Sequence, residues 1–261
     1  MDLGIGTKTA LVLGAGGGLG GAIARALAAE GVSVAVASRT LAGAAATVSA
    51  ITDAGGRAEA FAWDLADLVE MDRQVSLIEQ RLGGIDILIN MTGGPKPTPV
   101  SGVPAAEWTS YFQSMVLPVI ALTDRVLPGM RERQWGRIIT NTSSGVIAPI
   151  PNLGLSNALR STLVGWSKTL AREVGGDGIT ANTVLPGRIL TGRIAFLDEA
   201  KATRENRAVA DVTAESEAAI PLGRYGTPDE YGKTVAFLAS EAASYITGST
   251  IRIDGGLIAS V

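Results

Sequence analysis

Short apolar runs alternate with longer helix-patterned stretches from one end of the chain to the other. That alternation restricts the fold more than any other feature, because it is the pattern of a parallel sheet with helices on its faces. The runs occupy 8–13, 32–37, 57–62, 85–90, 137–142, 179–184 and 250–254. Between them the helical spacing is clearest at Leu68, Met71, Val75, Ile78 and Leu82, which step by three and four along one face. Gly55-Gly56 and Gly83-Gly84 each close such a stretch directly before the next run, as helix stops do. No Ser/Pro linker, composition break or fixed-period repeat divides the 261 residues. The expectation is one doubly wound, Rossmann-type α/β domain over 1–261, with about seven parallel strands. Residues 192–217 stand apart, charged on most faces and poor in strand character. They are expected to form either a solvated helical pair or a lid over a substrate site.

Composition then narrows the chemistry. Apolar residues make up 46% of the chain and charged residues 18%, enough for a large core and too apolar for disorder. With 22 basic and 25 acidic residues the net charge is −3, which lacks the basic stripe that a nucleic-acid or membrane-surface partner requires. Cysteine and histidine are both absent. That excludes disulfides, a Cys/His zinc site, a thiol nucleophile and a Ser-His-Asp triad, and no metal site is expected. Chemistry is left to Ser, Thr, Tyr, Lys, Arg, Asp, Glu, Asn or a bound cofactor. The N-terminal stretch has no basic-then-apolar signal pattern and no apolar run reaches ~18 residues, so a soluble, cytoplasmic protein is expected.

The first run passes straight into Gly14-Ala-Gly16-Gly-Gly18-Leu19-Gly20-Gly21 and then into a helix-patterned stretch. Backbone without Cβ lets a strand turn tightly into a helix while its N–H groups approach a pyrophosphate, and the helix N-terminus adds partial positive charge. Two registers fit, Gly14-xxx-Gly18-x-Gly20 and Gly16-x-Gly18-xx-Gly21. The competing reading is a tight strand–helix crossing with no ligand. The second run ends at Ala37-Ser38-Arg39. An enzyme selecting NAD places Asp or Glu near here, whereas Arg39, helped by the Ser38 hydroxyl, suits a 2′-phosphate. The expected cofactor is therefore NADP(H), against the alternative of an ordinary surface arginine.

These residues belong to a longer series: Asp64-Leu65, Asn90-Met-Thr-Gly93, Gly136-Arg-Ile-Ile with Ser143-Ser144, Asn182-Thr-Val-Leu-Pro186-Gly187, Tyr245-Ile-Thr-Gly248 and Asp254-Gly255-Gly256. In that order, over essentially the whole chain, the series resembles the short-chain dehydrogenase/reductase family, and looks most like its bacterial members of the 3-oxoacyl-carrier-protein reductase type. The resemblance implies that Asp64 bonds the adenine amino group and the Leu65 backbone holds the ring. It implies that Asn90 and Gly93 border the adenosine ribose and steady the sheet. Pro186, Gly187, Ile189 and Thr191 would grip the nicotinamide carboxamide, with Thr191 alternatively a helix N-cap only.

The family's catalytic set is Asn, Ser, Tyr and Lys, with Tyr and Lys four apart on one helix. Tyr protonates the alkoxide left by hydride transfer, and Lys lowers its pKa. Here Ser156 stands at the Tyr position and Arg160 at the Lys position, no Tyr occurs between 112 and 224, and Met115 falls where Asn would stand. Ser144 alone is retained. Arg160, one turn from Ser156, can hold the nicotinamide ribose but is a poor proton donor, as is Ser156. Lys96, in Gly94-Pro95-Lys96-Pro97, is the candidate replacement acid, substrate-anion binder or Schiff-base former, with a solvated loop lysine as the alternative. Tyr111 and a water held by Ser144 and Ser156 are further candidates.

Two functions follow. One is an NADP(H)-dependent oxidoreductase acting on a small carbonyl compound or alcohol with an altered proton relay. The other keeps fold and nucleotide but does non-redox chemistry of lyase or aldolase type, or senses a ligand. Apolar helices over 105–131 and 152–174 suit burial against a second subunit, and the resemblance implies a homodimer or homotetramer.

Overall fold

The computed structural model describes residues 2–260. Seven strands form one all-parallel sheet in the order β3-β2-β1-β4-β5-β6-β7. They are β1 (Thr9–Val12), β2 (Ser33–Ser38), β3 (Arg57–Ala62), β4 (Ile87–Asn90), β5 (Gly136–Asn141), β6 (Ile179–Pro186) and β7 (Thr250–Ile253). All seven expected runs form strands, displaced at either end by no more than two residues. Strand order reverses between β1 and β4, which opens a crevice beyond their carboxyl ends.

Helices cover both faces. On one side lie α1 (Gly18–Ala29), α2 (Leu41–Asp53) and α9 (Pro228–Leu238), packed through Ile23, Leu27, Ile51, Tyr231 and Val235 on Val12, Val34 and Ile89. On the other, α3 (Met71–Leu82), α5 (Leu117–Glu132) and α6 (Gly154–Val174) bring Val75, Ile78, Leu122, Val126 and Leu170 onto Leu11, Leu13 and Leu88. Neighbours along β1 thus face opposite layers, both dry, which is why its sequence is apolar at every position.

The stretch 105–131 is not one helix. It divides into α4 (Ala105–Met115) and α5 at Val116, whose φ of −107° interrupts the helix. Pro118 has no N–H to offer the carbonyl of Ser114, so the chain bends there. The bend leaves Met115 buried, its carbonyl accepting from the Thr92 hydroxyl at 3.4 Å. Residues 192–217 do form two helices, α7 (Gly192–Glu205) and α8 (Val209–Ala218).

Candidate active site

The glycine turn comes first because it sets where backbone is bare. Leu13 and Ala15 still donate to Ile89 and Ala37 of the flanking strands, so the turn starts inside the sheet. Gly14 and Gly18 lie at φ of +61° and +53°, a region costly for side-chain-bearing residues. A Cβ on Gly20 would sit 2.4 Å from the Gly14 carbonyl oxygen. One on Gly21 would meet nothing nearer than the Thr47 hydroxyl at 3.1 Å. A Cβ on Gly16 would also stand 2.6 Å from the Ser38 hydroxyl, a side chain that can turn aside, so backbone crowding favours Gly14-xxx-Gly18-x-Gly20.

Two cavities flank this turn at the strand carboxyl ends. The first, about 630 Å³, is lined by Gly14, Gly16, Ser38, Arg39, Asp64, Leu65 and Gly93 among others. Asp64 is its sole lining acid and accepts from the Ala66 N–H at 3.1 Å. Arg39 is exposed and forms no ion pair among the described residues. No acid ends β2. Tyr111 lines this cavity from α4 while packing with Met115 and Val119. Asn90 lines neither cavity. Its amide is fully buried and donates to Thr123 at 3.2 Å and Thr140 at 3.4 Å. These bonds tie β4 to α5 and β5.

The second cavity, about 460 Å³, holds Gly18, Leu19, Ser144, Ser156, Arg160, Pro186, Gly187, Ile189 and Thr191. Ser144 starts a 3-10 turn directly beyond β5, while Ser156 and Arg160 project from the first two turns of α6. The two cavities meet at Met91, Thr92, Gly93 and Gly94. Thr191 caps α7, accepting from Ile194 N–H at 3.4 Å, and lines the cavity as well.

Arg160 is buried without a carboxylate partner among the described residues. Its guanidinium donates to the carbonyls of Gly93 at 2.9 Å, Thr92 at 3.3 Å and Asn141 at 3.4 Å. Burial, and then the nearby Arg193 charge, lower its pKa to about 10, which leaves it charged at neutral pH. On the far side Tyr231 of α9 donates to Asn141 Oδ1 at 2.5 Å. Its phenol is fully buried, which pushes its pKa up, and it lines neither of these two cavities.

Lys96 is exposed and lines neither cavity. Pro95 beside it is buried, and Arg193 of α7 reaches it, donating to the Pro95 carbonyl at 2.9 Å. Arg193 was not among the residues marked by sequence. The one available signal was its place two residues past Thr191, at the carboxyl end of β6. Ile194 and Leu197 of α7 also line the second cavity. Buried Asp198 anchors that helix, accepting from Arg188 at 2.6 Å and from the Tyr225 hydroxyl at 2.7 Å. Among the described residues no cluster of three or more acidic, Cys or His side chains is placed to hold a metal.

Residues 14–258 match a family model described as enoyl-(acyl carrier protein) reductase. The chain is 34% identical over 252 residues to a 3-oxoacyl-[acyl-carrier-protein] reductase of Vibrio harveyi, covering 96% of this chain and 97% of that one. The chain belongs to the short-chain dehydrogenase/reductase family. Another relative of similar extent, nodulation protein G of Azospirillum brasilense, is 35% identical over 251 residues, 96% of this chain and 98% of its own. Among solved members of the family, L-sorbose reductase from Gluconobacter frateurii, crystallised with NADPH and L-sorbose, superposes with a TM-score of 0.93 at 29% identity over the full length of both chains. As in a family built on one sheet, the site residues here come from loops after β1, β2, β3, β4, β5 and β6. No helix among the described residues is long and apolar enough to cross a membrane.

Proposed function

We propose that this chain is an NADP(H)-dependent oxidoreductase of carbonyl-reductase or alcohol-dehydrogenase type, in which Ser144, Ser156 and Arg160 occupy the places of the family's Ser, Tyr and Lys. The observation that carries the reading is that these three side chains line one cavity, continuous with the glycine turn.

The residues fit the cofactor. The Gly14–Gly20 turn leaves its amides bare at the N-terminus of α1, as a diphosphate requires. Arg39 and Ser38, with no acid at the end of β2, favour a 2′-phosphate over a free 2′-hydroxyl. Asp64 and Leu65 flank the adenine end, and Pro186, Gly187, Ile189 and Thr191 the nicotinamide end. Relatives solved with NADPH or NADP support the same choice. When bound, NADPH supplies a hydride to the substrate carbonyl carbon. Ser144 and Ser156 hydrogen-bond the carbonyl oxygen, and Ser156 passes it a proton from solvent, giving the alcohol. Arg160 keeps its charge, orients the nicotinamide ribose and stabilises negative charge growing on the oxygen. Lys96 has no part. Helix α7 forms a lid over the substrate, anchored by Asp198. The chain assembles as a homodimer or homotetramer through exposed apolar positions such as Phe112, which light scattering will check.

A second reading, non-redox chemistry or ligand sensing on the same nucleotide site, is favoured by one fact: no phenol lines the second cavity. Absorbance at 340 nm with NADPH and a panel of ketones, keto esters and quinones separates the two. Sustained turnover lost in Ser144→Ala supports oxidoreduction, and tight NADPH binding without turnover on any carbonyl supports the second reading.

A further inference from the structure

Two guanidinium groups converge at the β4–α4 loop, and no acid answers either. Arg160 donates through Nη2 to the Gly93 carbonyl and Arg193 through Nη2 to the Pro95 carbonyl, each at 2.9 Å. Both Nη2 atoms lie within 3.5 Å of the single point where a Cβ on Gly94 would stand. Neither arginine forms an ion pair among the described residues, and no Asp or Glu lines the cavity they share. The contrast with Arg188 is sharp, since that neighbour is matched by Asp198 at 2.6 Å.

Like charges held this close repel, and after burial, the larger cause, this repulsion also lowers the pKa of Arg160. Arg193 is exposed, and an oxyanion seated between it and Arg160 would relieve the repulsion, since guanidinium N–H groups match carboxylate oxygens in a planar fork. Of the five N–H donors on Arg193, one is used by Pro95, which leaves others for a ligand. The absent side chain at Gly94 keeps the space between the two groups open.

We infer that the substrate carries a carboxylate, or an oxyanion of the same shape, seated on Arg193 beside Arg160 with its carbonyl turned toward Ser144 and Ser156. Ile150, Leu153, Ile194 and Leu197 line the remainder of the cavity and suit a short aliphatic body. The word substrate rests on the proposed function; the anion site does not. The diphosphate of the cofactor is the other possible source of such an oxyanion, and binding measurements distinguish them.

The NADPH-loaded protein is titrated calorimetrically with 2- and 3-hydroxy acids of three to six carbons, each against its methyl ester, for the parent, Arg193→Met and Arg193→Lys. At least one acid should bind about tenfold or more tightly than its ester. Arg193→Met should weaken that acid about 10- to 100-fold, the loss of one charge-assisted bond, while the ester shifts less than about twofold. Arg193→Lys should recover part of the acid's affinity, which a merely structural arginine would not do selectively. NADPH affinity, measured separately, should stay within about twofold in all three proteins. Equal binding of acids and esters in the parent, no binding of either, or equal losses in Arg193→Met overturns the inference. A tenfold loss of NADPH affinity with an unchanged acid-to-ester ratio also overturns it, assigning Arg193 to the diphosphate. A persisting acid preference in a protein that reduces no carbonyl would leave the anion site standing and remove the oxidoreductase reading.

Discussion

Replacing Gly20 with alanine probes the turn on which cofactor binding depends. The added methyl would stand 2.4 Å from the Gly14 carbonyl oxygen, 2.8 Å from its carbon and 3.0 Å from the Ala15 Cα. All three are backbone atoms inside a turn held at both ends by sheet hydrogen bonds, so no side chain can swing aside. Forced overpacking of this kind costs about 1–3 kcal/mol. In a chain of this size each kcal/mol lowers Tm by about 2–4 °C, so a fall of roughly 2–12 °C is expected. The same displacement moves the turn amides away from the diphosphate, and losing even one such donor at ~1.5 kcal/mol weakens NADPH about tenfold. Gly21→Ala is the control, because its methyl meets only a hydroxyl at 3.1 Å and atoms at 3.5 Å. Thermal unfolding and NADPH fluorescence titration read both effects. Gly20→Ala with parental Tm and affinity, or Gly21→Ala doing the greater damage, would refute the assigned register.

Other outcomes follow from the same geometry. Arg39→Ala should weaken NADPH about tenfold or more and leave NADH within about twofold; equal loss for both would show that Arg39 does not select the 2′-phosphate. Ser156→Tyr combined with Arg160→Lys should raise carbonyl reduction by up to about 10²–10⁴-fold, the worth of a positioned acid; a double variant that binds cofactor and stays as slow as the parent would mean that these positions are wrongly matched to the family pair. Glu230, which caps α9 through Thr227 and pairs with Arg224, has its carboxyl held down at about 2 by the Arg224 hydrogen bond and then the Thr227 N–H. Its folded pKa lies below the unfolded 4.5, so its contribution is present above pH 4.5 and lost as pH falls through 2. The Tm gap between the parent and Glu230→Gln should be constant above pH 4.5 and close on acidification; a gap that widens would contradict this.

The sheet was legible because strands buried on both faces must be apolar throughout, as in β1, and because helices between parallel strands need their own spacing. The glycine turn and Ser38-Arg39 were legible as residues at run ends, where open sheets place ligands, and Ser144 through the family resemblance. What sequence left out depends on direction in space. Asn90 ends a strand like its neighbours, yet its side chain points to Thr123 and Thr140 instead of the crevice. Lys96 sits in the correct loop, but the loop turns Pro95 inward and leaves Lys96 in solvent. Arg193 lies in the stretch 192–217, expected as a solvated helical pair or a lid, but its spacing does not say which side chains reach the cavity. The bend at Val116 was signalled by Pro118 and hidden by continuous apolar spacing across it.

The pairing of a small residue at 156 with a large one at 160 has a physical logic of its own. Arg160 satisfies three carbonyls drawn from the ends of two neighbouring strands, β4 and β5. A lysine, with one nitrogen at the end of a flexible stem, cannot span the same set. The guanidinium therefore does structural work at the crevice floor, and it stays charged while doing so. Ser156, one turn away, lines the same cavity as that guanidinium. The two positions thus form a coupled unit, and their single substitutions are not expected to add. On the proposed reaction, this fixed positive charge would face the reacting oxygen while protons came from solvent, and electrostatic stabilisation would carry the larger share of the rate.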